Sequence, residues 1–469
     1  MKTKWEVIVV GAGPAGMACA ASCAEQGMGV LVLDEQPSPG GQIYRNIERQ
    51  RDKVLAVLGQ EYLRGAGLAT RLRISGAEYK PLSKAWKVES NGRVCFSENG
   101  SSREVQGKRV VLAIGAMERP VPFSGWTLPG VAEAGGVDAF LKSDGLVPQG
   151  PVAIAGSGPI MLLVAGHLNK LGVEVNSFFD TTPSLSVLSA LPHLLPALRR
   201  VDYLAKGVAM LMETRKSVGQ YKRGVSHYEA VGAEHVTAVV AHKHGKATTV
   251  PASTLLVHEG IIPRTEFTRQ LRLAHKWDGV QRYWYPDIDE DGRTSLPAIF
   301  VAGDSGFVHG GVAAELKGEI TALAIAAELG KGGAFNEKRQ KSLRKQLAHE
   351  LLTRSFVDAM YSPRPNLSAV DDHVTVCRCE EVTAKTIRAL VSSGQTAPEQ
   401  VKAVSRCGMG PCQGRMCSSS LIEIMASETG KNAQDLPPLN VRPPVRNIGL
   451  GELANATLLP HNAAQKSSS

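Results

Sequence analysis

The order of apolar runs and glycines along the first 35 residues predicts a strand, a loop, a helix and a second strand. WEVIVV is a short run rich in β-branched residues, and GAGPAG follows it at once. MACAASCAEQG has the composition of a helix, and GVLVLDE is typical of a buried strand. This succession is a βαβ unit, which predicts a parallel sheet near the N-terminus.

The glycine loop of this unit is predicted to bind a nucleotide diphosphate. The first glycine makes the tight turn, the second lets backbone approach a pyrophosphate, and the third lets helix pack on strand. The helix N-terminus adds N–H groups and a dipole that favour an anion. An acidic residue roughly 20 positions later should bond a ribose hydroxyl. The candidate residues are Gly11, Gly13, Pro14, Ala15, Gly16, Asp34 and Glu35.

Two further stretches have the composition needed to pass close to this nucleotide. GGQIYR at 40–45 has glycines that permit close approach, so Gly41, Gln42 and Arg45 are candidate contacts, with a plain loop as the alternative. The run VVLAIGA at 110–116 ends in small residues, and Ala113 and Gly115 would let the chain cross the nucleotide.

A second βαβ pattern opens near residue 151 and repeats the first in outline. Met161 stands where the third glycine should be, and Asp180 lies one place beyond the expected acid. The pattern predicts a second dinucleotide-binding fold and leaves three alternatives for its ligand: NAD(P), another adenine nucleotide such as ATP, or none. The tentative binding residues are Gly156, Gly158 and Pro159.

The middle region, to about residue 280, is predicted to be strand-rich with turns and to offer no chemistry of its own. Its histidines are scattered and lack ligand spacing with any carboxylate or cysteine, so we expect surface or core positions for them. They are His242, His244, His258 and His275.

The stretch GRTSLPAIFVAGDSG predicts a strand that delivers Asp304 to a glycine loop, with a long helix after it. An aspartate at this point commonly bonds the ribityl chain of FAD, and the helix N-terminus faces the flavin pyrimidine. His309 is the one titratable candidate beside this turn, with a purely structural histidine as the alternative. The candidate contacts are Gly303, Asp304, Gly311, Val312 and Ala313.

Five of the eight cysteines lie between residues 377 and 417. Four thiolates hold a [2Fe–2S] cluster, and four also suit zinc, although C-x-C is not the usual zinc spacing. Cys377 and Cys379 form the C-x-C pair, while Cys407 with Cys412, or Cys412 with Cys417, can form the second pair. Spacing alone leaves both registers open. The remaining cysteines, Cys19, Cys23 and Cys95, are too isolated for a site.

Together the motifs GAGPAG, GGQIYR, LAIGAMERPVPFSGWTLPG, GSGPI, GRTSLPAIFVAGDSG and CRCEEVT…CGMGPCQGRMC resemble one group of FAD-dependent oxidoreductase subunits. That group contains the A subunit of opine oxidase, the B subunit of hydrogen cyanide synthase and the alpha subunit of D-hydroxyproline dehydrogenase. The resemblance covers nearly the whole chain. It implies an α/β fold with two thioredoxin-reductase-like, three-layer dinucleotide-binding domains and a small α-helical domain like bacterioferritin-associated ferredoxin.

The resemblance also implies cofactors and ligands. FAD is expected in the first domain and a [2Fe–2S] cluster in the last. The ferredoxin-like family places the third ligand 33 positions after the second, which selects Cys377, Cys379, Cys412 and Cys417 and leaves Cys407 spare. No C-x-x-C lies in the second nucleotide domain, so disulfide reduction is not expected.

In function, the resemblance implies one component of a hetero-oligomeric dehydrogenase complex that passes electrons from an amine or amino acid to a respiratory or other acceptor. The implied partner is an amino-acid-oxidase-like flavoprotein subunit, with a small ferredoxin-like subunit as a further one. The alternative is an NAD(P)H-dependent flavoprotein reductase that uses the second nucleotide domain. A third hypothesis is a regulatory subunit whose nucleotides are structural.

The predicted boundaries follow from these motifs. The FAD-binding domain has two parts, with the second nucleotide-binding domain between them; a helical linker, the cluster domain and a tail follow. The ranges are 1–148 and 281–335 for the FAD-binding domain, 149–280 for the second nucleotide-binding domain, 336–370 for the linker, 371–430 for the cluster domain and 431–469 for the tail.

The amino-acid composition and the net charge exclude few further functions. Apolar residues make up 43% and charged residues 21%, which is ordinary for a globular protein. The net charge is +9, yet the basic run at 337–346 has no interleaved aromatics, so we expect a solvated helix face and no nucleic-acid binding. No leader pattern and no long apolar run is evident, which predicts a cytoplasmic protein, with the inner membrane face as one possible place of action.

Overall fold

The computed structural model describes residues 2–365 and 367–456. The strands are β1 (Lys4–Val10), β2 (Val30–Leu33), β3 (Glu78–Lys80), β4 (Lys84–Val88), β5 (Arg93–Glu98), β6 (Ser101–Leu112), β7 (Ala116–Glu118), β8 (Val131–Glu133), β9 (Val152–Ser157), β10 (Val175–Asp180), β11 (Tyr221–Arg223), β12 (His227–Val231), β13 (Ala238–Lys243), β14 (Lys246–Pro251), β15 (Thr254–Glu259), β16 (Ile261–Pro263), β17 (His275–Asp278), β18 (Tyr283–Pro286), β19 (Ile299–Val301), β20 (Thr375–Cys377) and β21 (Val382–Thr383).

The α-helices are α1 (Pro14–Glu25), α2 (Asp52–Leu58), α3 (Gln60–Ile74), α4 (Ala134–Asp144), α5 (Pro159–Lys170), α6 (Ser186–Ala190), α7 (Leu194–Ala197), α8 (Val201–Ser217), α9 (Glu266–Gln270), α10 (Gly311–Glu328), α11 (Ala334–Glu350), α12 (Arg354–Met360), α13 (Ala384–Ser392), α14 (Pro398–Ser405), α15 (Ser418–Thr429) and α16 (Leu450–Ala454). No helix of the described residues has both the length and the apolar content needed to cross a membrane.

The first sheet has the order β3-β2-β1-β6-β5-β4, and β19 lies beside β6. β2, β1, β6 and β19 run parallel, so the βαβ unit predicted from the first glycine loop is confirmed. The apolar run of β1 is buried on both faces, because α1 and α10 cover one face and further side chains cover the other. The carboxyl ends of β1, β6 and β19 therefore meet at one edge.

The second sheet has the order β11-β10-β9-β15-β8, and its paired strands are parallel. The second dinucleotide-binding fold is thereby confirmed, with α5 directly after β9. β8 belongs to this sheet although it precedes the predicted boundary at 148/149, and that boundary stays a prediction. A three-stranded antiparallel sheet, β12-β13-β14, lies between β11 and β15 along the chain.

The middle region differs from the strand-rich prediction between residues 186 and 217. α6, α7 and α8 occupy this stretch, joined by short helical turns. Pro192 falls at the start of one such turn, where a missing N–H costs nothing, and with Pro196 it divides the region into short pieces. Many of its apolar side chains face outward.

The C-terminal domain contains β20, β21, α13, α14 and α15, and its core is continuous with that of the second sheet. Trp126 Nε1 donates to Thr375 O at 2.8 Å across this junction. The segment after α15 returns to the first sheet, where Val445 N donates to Trp86 O at 2.9 Å. Part of the predicted tail is therefore packed, while residues 457–469 lie outside the described residues.

Candidate functional site

The first glycine loop has the geometry expected of a phosphate-binding turn. Gly11 has φ +99°, and a Cβ on it would lie 2.5 Å from Ala113 O. A Cβ on Gly16 would lie 1.9 Å from Gly11 O, so helix α1 can approach the loop only without a side chain there. α1 starts at Pro14 with Gly13 as its N-cap and no capping side chain, and Ala15 lies in the first turn. Its first N–H groups are thus free of a side-chain cap and can face an anion.

The segment from Gly40 to Arg45 lies directly against this loop. Gly40 N donates to Ala12 O at 2.8 Å, and a Cβ on Gly41 would lie 2.7 Å from Gly13 Cα. Arg45 donates to Gln42 Oε1 at 3.0 Å, and its buried Nε has no partner among the described residues. An unpaired guanidinium N–H beside a glycine loop fits a diphosphate ligand.

The two predicted acids after β2 are in different environments. Asp34 is buried, and its carboxylate accepts weakly from Gln36 N and Tyr79 OH, both at 3.3 Å. Burial raises the pKa of Asp34 to about 7. Glu35 is more exposed and pairs with Arg264 and Arg446. Asp34 thus keeps hydrogen-bonding capacity for a ribose hydroxyl, while Glu35 has a structural ion pair.

The remaining predicted contacts converge on the same crevice. Gly115 N donates to Ser305 Oγ at 2.7 Å, which ties the crossing after Ala113 to the turn after β19. In that turn, which includes Gly303, Asp304 Oδ1 accepts from His309 N at 2.9 Å and from Gly310 N at 3.2 Å. Gly311, Val312 and Ala313 form the first turn of α10. The donors and the free space therefore fit FAD.

The second glycine loop is lined by a histidine. A Cβ on Gly158 would lie 3.0 Å from Nε2 and Cδ2 of His258, which follows the apolar run of β15. His258 is buried, and its Nδ1 lies 2.5 Å from Glu118 Oε1. His258 occupies a core position, which was one of the two expected. Its contact with the glycine loop was not predicted, because strand pairing brings His258 to the loop.

Two departures from the glycine fingerprint in the second domain have structural reasons. Met161 is buried in the core on α5, the helix that begins at Pro159, so a side chain replaces the third glycine without blocking the fold. Asp180 accepts from Thr182 N and Tyr221 OH, both at 2.8 Å, so its carboxylate is already used within the protein. The role of Gly156, Gly158 and Pro159 in binding stays a prediction.

The five clustered cysteines form one site with two parts. The Sγ atoms of Cys377, Cys407 and Cys417 lie within 4.8 Å of one another, and all three are buried. Thiols of Cys407 and Cys417 donate to Cys377 and, with backbone N–H groups of Gly408 and Glu380, lower the pKa of Cys377 to about 2. The thiolate, the form that binds iron, is therefore favoured at Cys377, while the hydrogen bonds to Cys377 raise the pKa of Cys407 to about 12 and raise that of Cys417 as well.

Cys379 and Cys412 form the second part, hydrogen-bonded to each other at the more exposed side. A Cβ on Gly410 would lie 2.2 Å from Cys379 Cβ, so the Gly-rich turn wraps closely around the C-x-C loop. Cys407, the cysteine expected to be spare, lies with Cys377 and Cys417. The soft donor set fits [2Fe–2S], and the choice of four ligands among five stays a prediction.

Antiparallel pairing also brings together three side chains that the sequence separates. His227 and His242 are opposite each other on β12 and β13, and His242 Nε2 lies 3.1 Å from Glu229 Oε1. His242 was expected at a surface or core position, and it is partly exposed; its contact with Glu229 arises only when β12 and β13 pair, so sequence spacing could not predict it. The two imidazoles stack at 4.0 Å between centroids and 10° between planes.

Comparison with known proteins agrees with both cofactor sites. Residues 5–327 match the family of pyridine nucleotide-disulphide oxidoreductases, and residues 375–427 match the BFD-like [2Fe-2S] binding domain. The chain is similar to L-proline dehydrogenase from P. horikoshii in fold, with a TM-score of 0.73, 20% identity and coverage of 96% and 80% of the two chains.

Two relatives are similar in sequence over most of their length. The A subunit of opine oxidase from Rhizobium meliloti is 39% identical over 96% of this chain and 98% of its own. Hydrogen cyanide synthase subunit HcnB of Pseudomonas protegens is 32% identical over 90% and 92%. The predicted resemblance, fold and cofactors are confirmed: the chain belongs to the FAD-dependent oxidoreductase subunits that include the A subunit of opine oxidase, with a C-terminal [2Fe–2S] domain.

Proposed function

We propose that this chain is the flavin and iron–sulfur subunit of a complex that dehydrogenates an amine or amino acid of opine or hydroxyproline type. The electrons would go to a respiratory or other acceptor. The observation that carries the proposal is that one chain contains both a flavin crevice and a five-cysteine site. When bound, FAD takes two electrons and a [2Fe–2S] cluster carries one at a time, so the two cofactors together suit electron transfer from the amine to the acceptor.

Buried ion pairs connect the flavin domain with the cysteine turn. Glu266 is 1% exposed, and its Oε1 accepts from Arg446 at 2.7 Å and from Arg264 at 3.1 Å, with Arg415 at 4.0 Å. Arg264 follows the strand that links the nucleotide domains, and Arg415 lies in the cysteine turn. One carboxylate thus contacts the cysteine turn and the returning C-terminal segment, and its partners Arg264 and Arg446 also pair with Glu35 of the flavin domain.

A separate subunit for amine oxidation fits the crevice residues. His309, the only titratable candidate for a base that the sequence offered, faces Lys317 at 2.5 Å. Relatives of this chain are named as subunits of oxidases, which supports a hetero-oligomer. The partner we propose is an amino-acid-oxidase-like flavoprotein, with a small ferredoxin-like subunit as a further component.

The test compares the complex with the isolated chain. The co-expressed complex should reduce a dye acceptor when given an opine, proline or hydroxyproline, whereas the purified chain with full FAD and iron should not. Robust amine-dependent dye reduction by the isolated chain would refute the assignment of amine oxidation to a separate subunit. A complex that is inactive on all such amines would refute the substrate class.

The second glycine loop favours one further candidate, an NAD(P)H-dependent flavoprotein reductase. Gly158 and the N-terminus of α5 provide the backbone approach that such a nucleotide needs. Adding NADH or NADPH to the anaerobic chain should leave the flavin absorbance unchanged under the leading proposal. Rapid bleaching by either nucleotide would favour this second candidate.

A further inference from the structure

Large exposed apolar side chains are concentrated in the helical stretch of the middle region. Among the described residues, ten of the 24 most exposed large hydrophobic side chains fall between residues 185 and 212. We call these ten side chains the helical patch. They are Leu185, Val187, Leu188, Leu191, Leu195, Leu198, Val201, Tyr203, Val208 and Met212.

Three of the exposed apolar residues of helix α8 are grouped on one face of the helix. Thr214 is its only buried residue, although the helix is 17 residues long. Val201, Val208 and Met212 are spaced by seven and four residues, so they share one face, and each is more than half exposed. A helix of this length is marginal in water by itself, and most helices gain stability by packing an apolar face.

The concentration of apolar side chains in the helical patch fits a protein interface. Each of the ten side chains is at least 38% exposed, and all lie within one stretch of 28 residues, 185–212. Apolar side chains concentrated in this way mark interaction surfaces, since monomers rarely expose them together. The fully buried core of a protein–protein interface is apolar, as these side chains are.

The charges around the helical patch indicate the chemistry of its partner. Arg199, Arg215 and Lys216 are exposed and form no ion pair with any described residue, although Arg215 stacks on Tyr221. The exposed acid Glu213 in the last turns of α8 offsets one of these charges. Arg200 and Lys206, by contrast, are paired with acids of this chain. The cations without an acidic partner lie at both ends of α8, so a complementary surface has an apolar groove with carboxylates at its ends.

A membrane surface is a poorer fit for the helical patch. Membrane-surface helices carry a polar face rich in Lys and Arg, whereas α8 has the exposed acids Asp202 and Glu213 among its few cations. Its one aromatic residue, Tyr203, has its hydroxyl bound to Glu350 of α11 and is thus held to the protein.

We propose that the helical patch is the docking surface for the flavoprotein subunit of the complex, which presents an apolar groove flanked by carboxylates. This inference rests on the proposed function for the identity of the partner. The side chains of α6 to α8 enter the groove, and the exposed cations meet acids at its rim.

The experiment uses the tagged full chain, co-expressed with its complex and purified by the tag. Leu195→Glu and Leu188→Glu place a charge inside the patch, and Ile74→Glu is the matched control, since Ile74 and Leu195 are both 79% exposed. The two patch variants should retain at least tenfold less flavoprotein subunit, identified by mass spectrometry, while their own FAD and iron stay unchanged. Hydrogen exchange in residues 185–212 should slow in the wild-type complex relative to the isolated chain.

Other results would overturn the proposal. Unchanged retention of the flavoprotein by both patch variants would do so, and so would equal loss with Ile74→Glu. Disruption of a dimer of this chain would assign the patch to a second copy, and loss of binding to phosphatidylglycerol vesicles would assign it to a membrane. A complex that assembles through the patch but reduces no dye with any amine refutes the proposed function and supports the docking surface.

Discussion

Lys317 and His309 form a partly buried pair beside the flavin crevice, with Lys317 Nζ 2.5 Å from His309 Nδ1. Burial, followed by the charge of Lys317, lowers the pKa of His309 to about 2. Burial lowers the pKa of Lys317 to about 8. At neutral pH the imidazole is therefore neutral and accepts a hydrogen bond from the ammonium group, so His309 holds the turn in place and is a poor general base.

This pair predicts a pH-dependent stability. The pKa of Lys317 is about 8 in the folded chain and 10.5 as its ordinary value, so the unfolded chain binds the extra proton between those pH values. The contribution of Lys317 to the free energy of unfolding therefore rises with pH across that window, by up to about 3 kcal/mol. Denaturant titrations at several pH values should show this rise in wild type relative to Lys317→Met. The exposed Lys338→Met should follow wild type; a Lys317→Met curve parallel to wild type would contradict the assignment.

The sequence predicted best what is local along the chain. The loop from Gly11 to Gly16 joins neighbouring elements, so spacing alone identified it. The location of Cys407 and of His258 could not be predicted in the same way, because each meets its neighbours only after distant segments pair. The helices from 186 to 217 were missed because Pro192 and Pro196 interrupt the first half of the stretch and divide it into short pieces.

Substitution of Gly13 should weaken flavin binding without preventing the protein from folding. A Cβ on Gly13 meets nothing closer than Gly41 Cα at 3.8 Å, which is ordinary contact, so Gly13→Ala should fold. The methyl group would still push the backbone from the diphosphate, and we expect at least a tenfold loss of FAD affinity with iron retained. Flavin absorbance and iron content of the purified variant measure this. Gly67→Ala, with no atom within 4 Å of its Cβ, is the control; full flavin occupancy in Gly13→Ala would reject the loop as the FAD site.

Removing the charge of Glu266 should loosen the junction of the flavin and cysteine domains. Glu266→Gln keeps the shape but leaves Arg446 and Arg264 partly uncompensated in a buried place. We expect a loss of about 3 kcal/mol in the free energy of unfolding, since breaking a buried pair by removing one partner is costly. Chemical denaturation checks this value, and Glu290→Gln, whose side chain is 86% exposed, should change little. Equal effects of the two substitutions would argue against the junction.

The last prediction decides which four cysteines bind the cluster. With Cys377, Cys379, Cys412 and Cys417 as ligands, serine at any of them opens a position on an iron that water and oxygen can attack. Visible absorbance and iron content should then fall while FAD remains, and Cys407→Ser should keep the cluster. The position of Cys407 within 4.8 Å of Cys377 makes this a strict test, because the alternative register exchanges the roles of Cys407 and Cys417. Iron analysis and electron paramagnetic resonance of the two single variants distinguish the registers: a cluster lost in Cys407→Ser and kept in Cys417→Ser would show that the spacing argument is wrong.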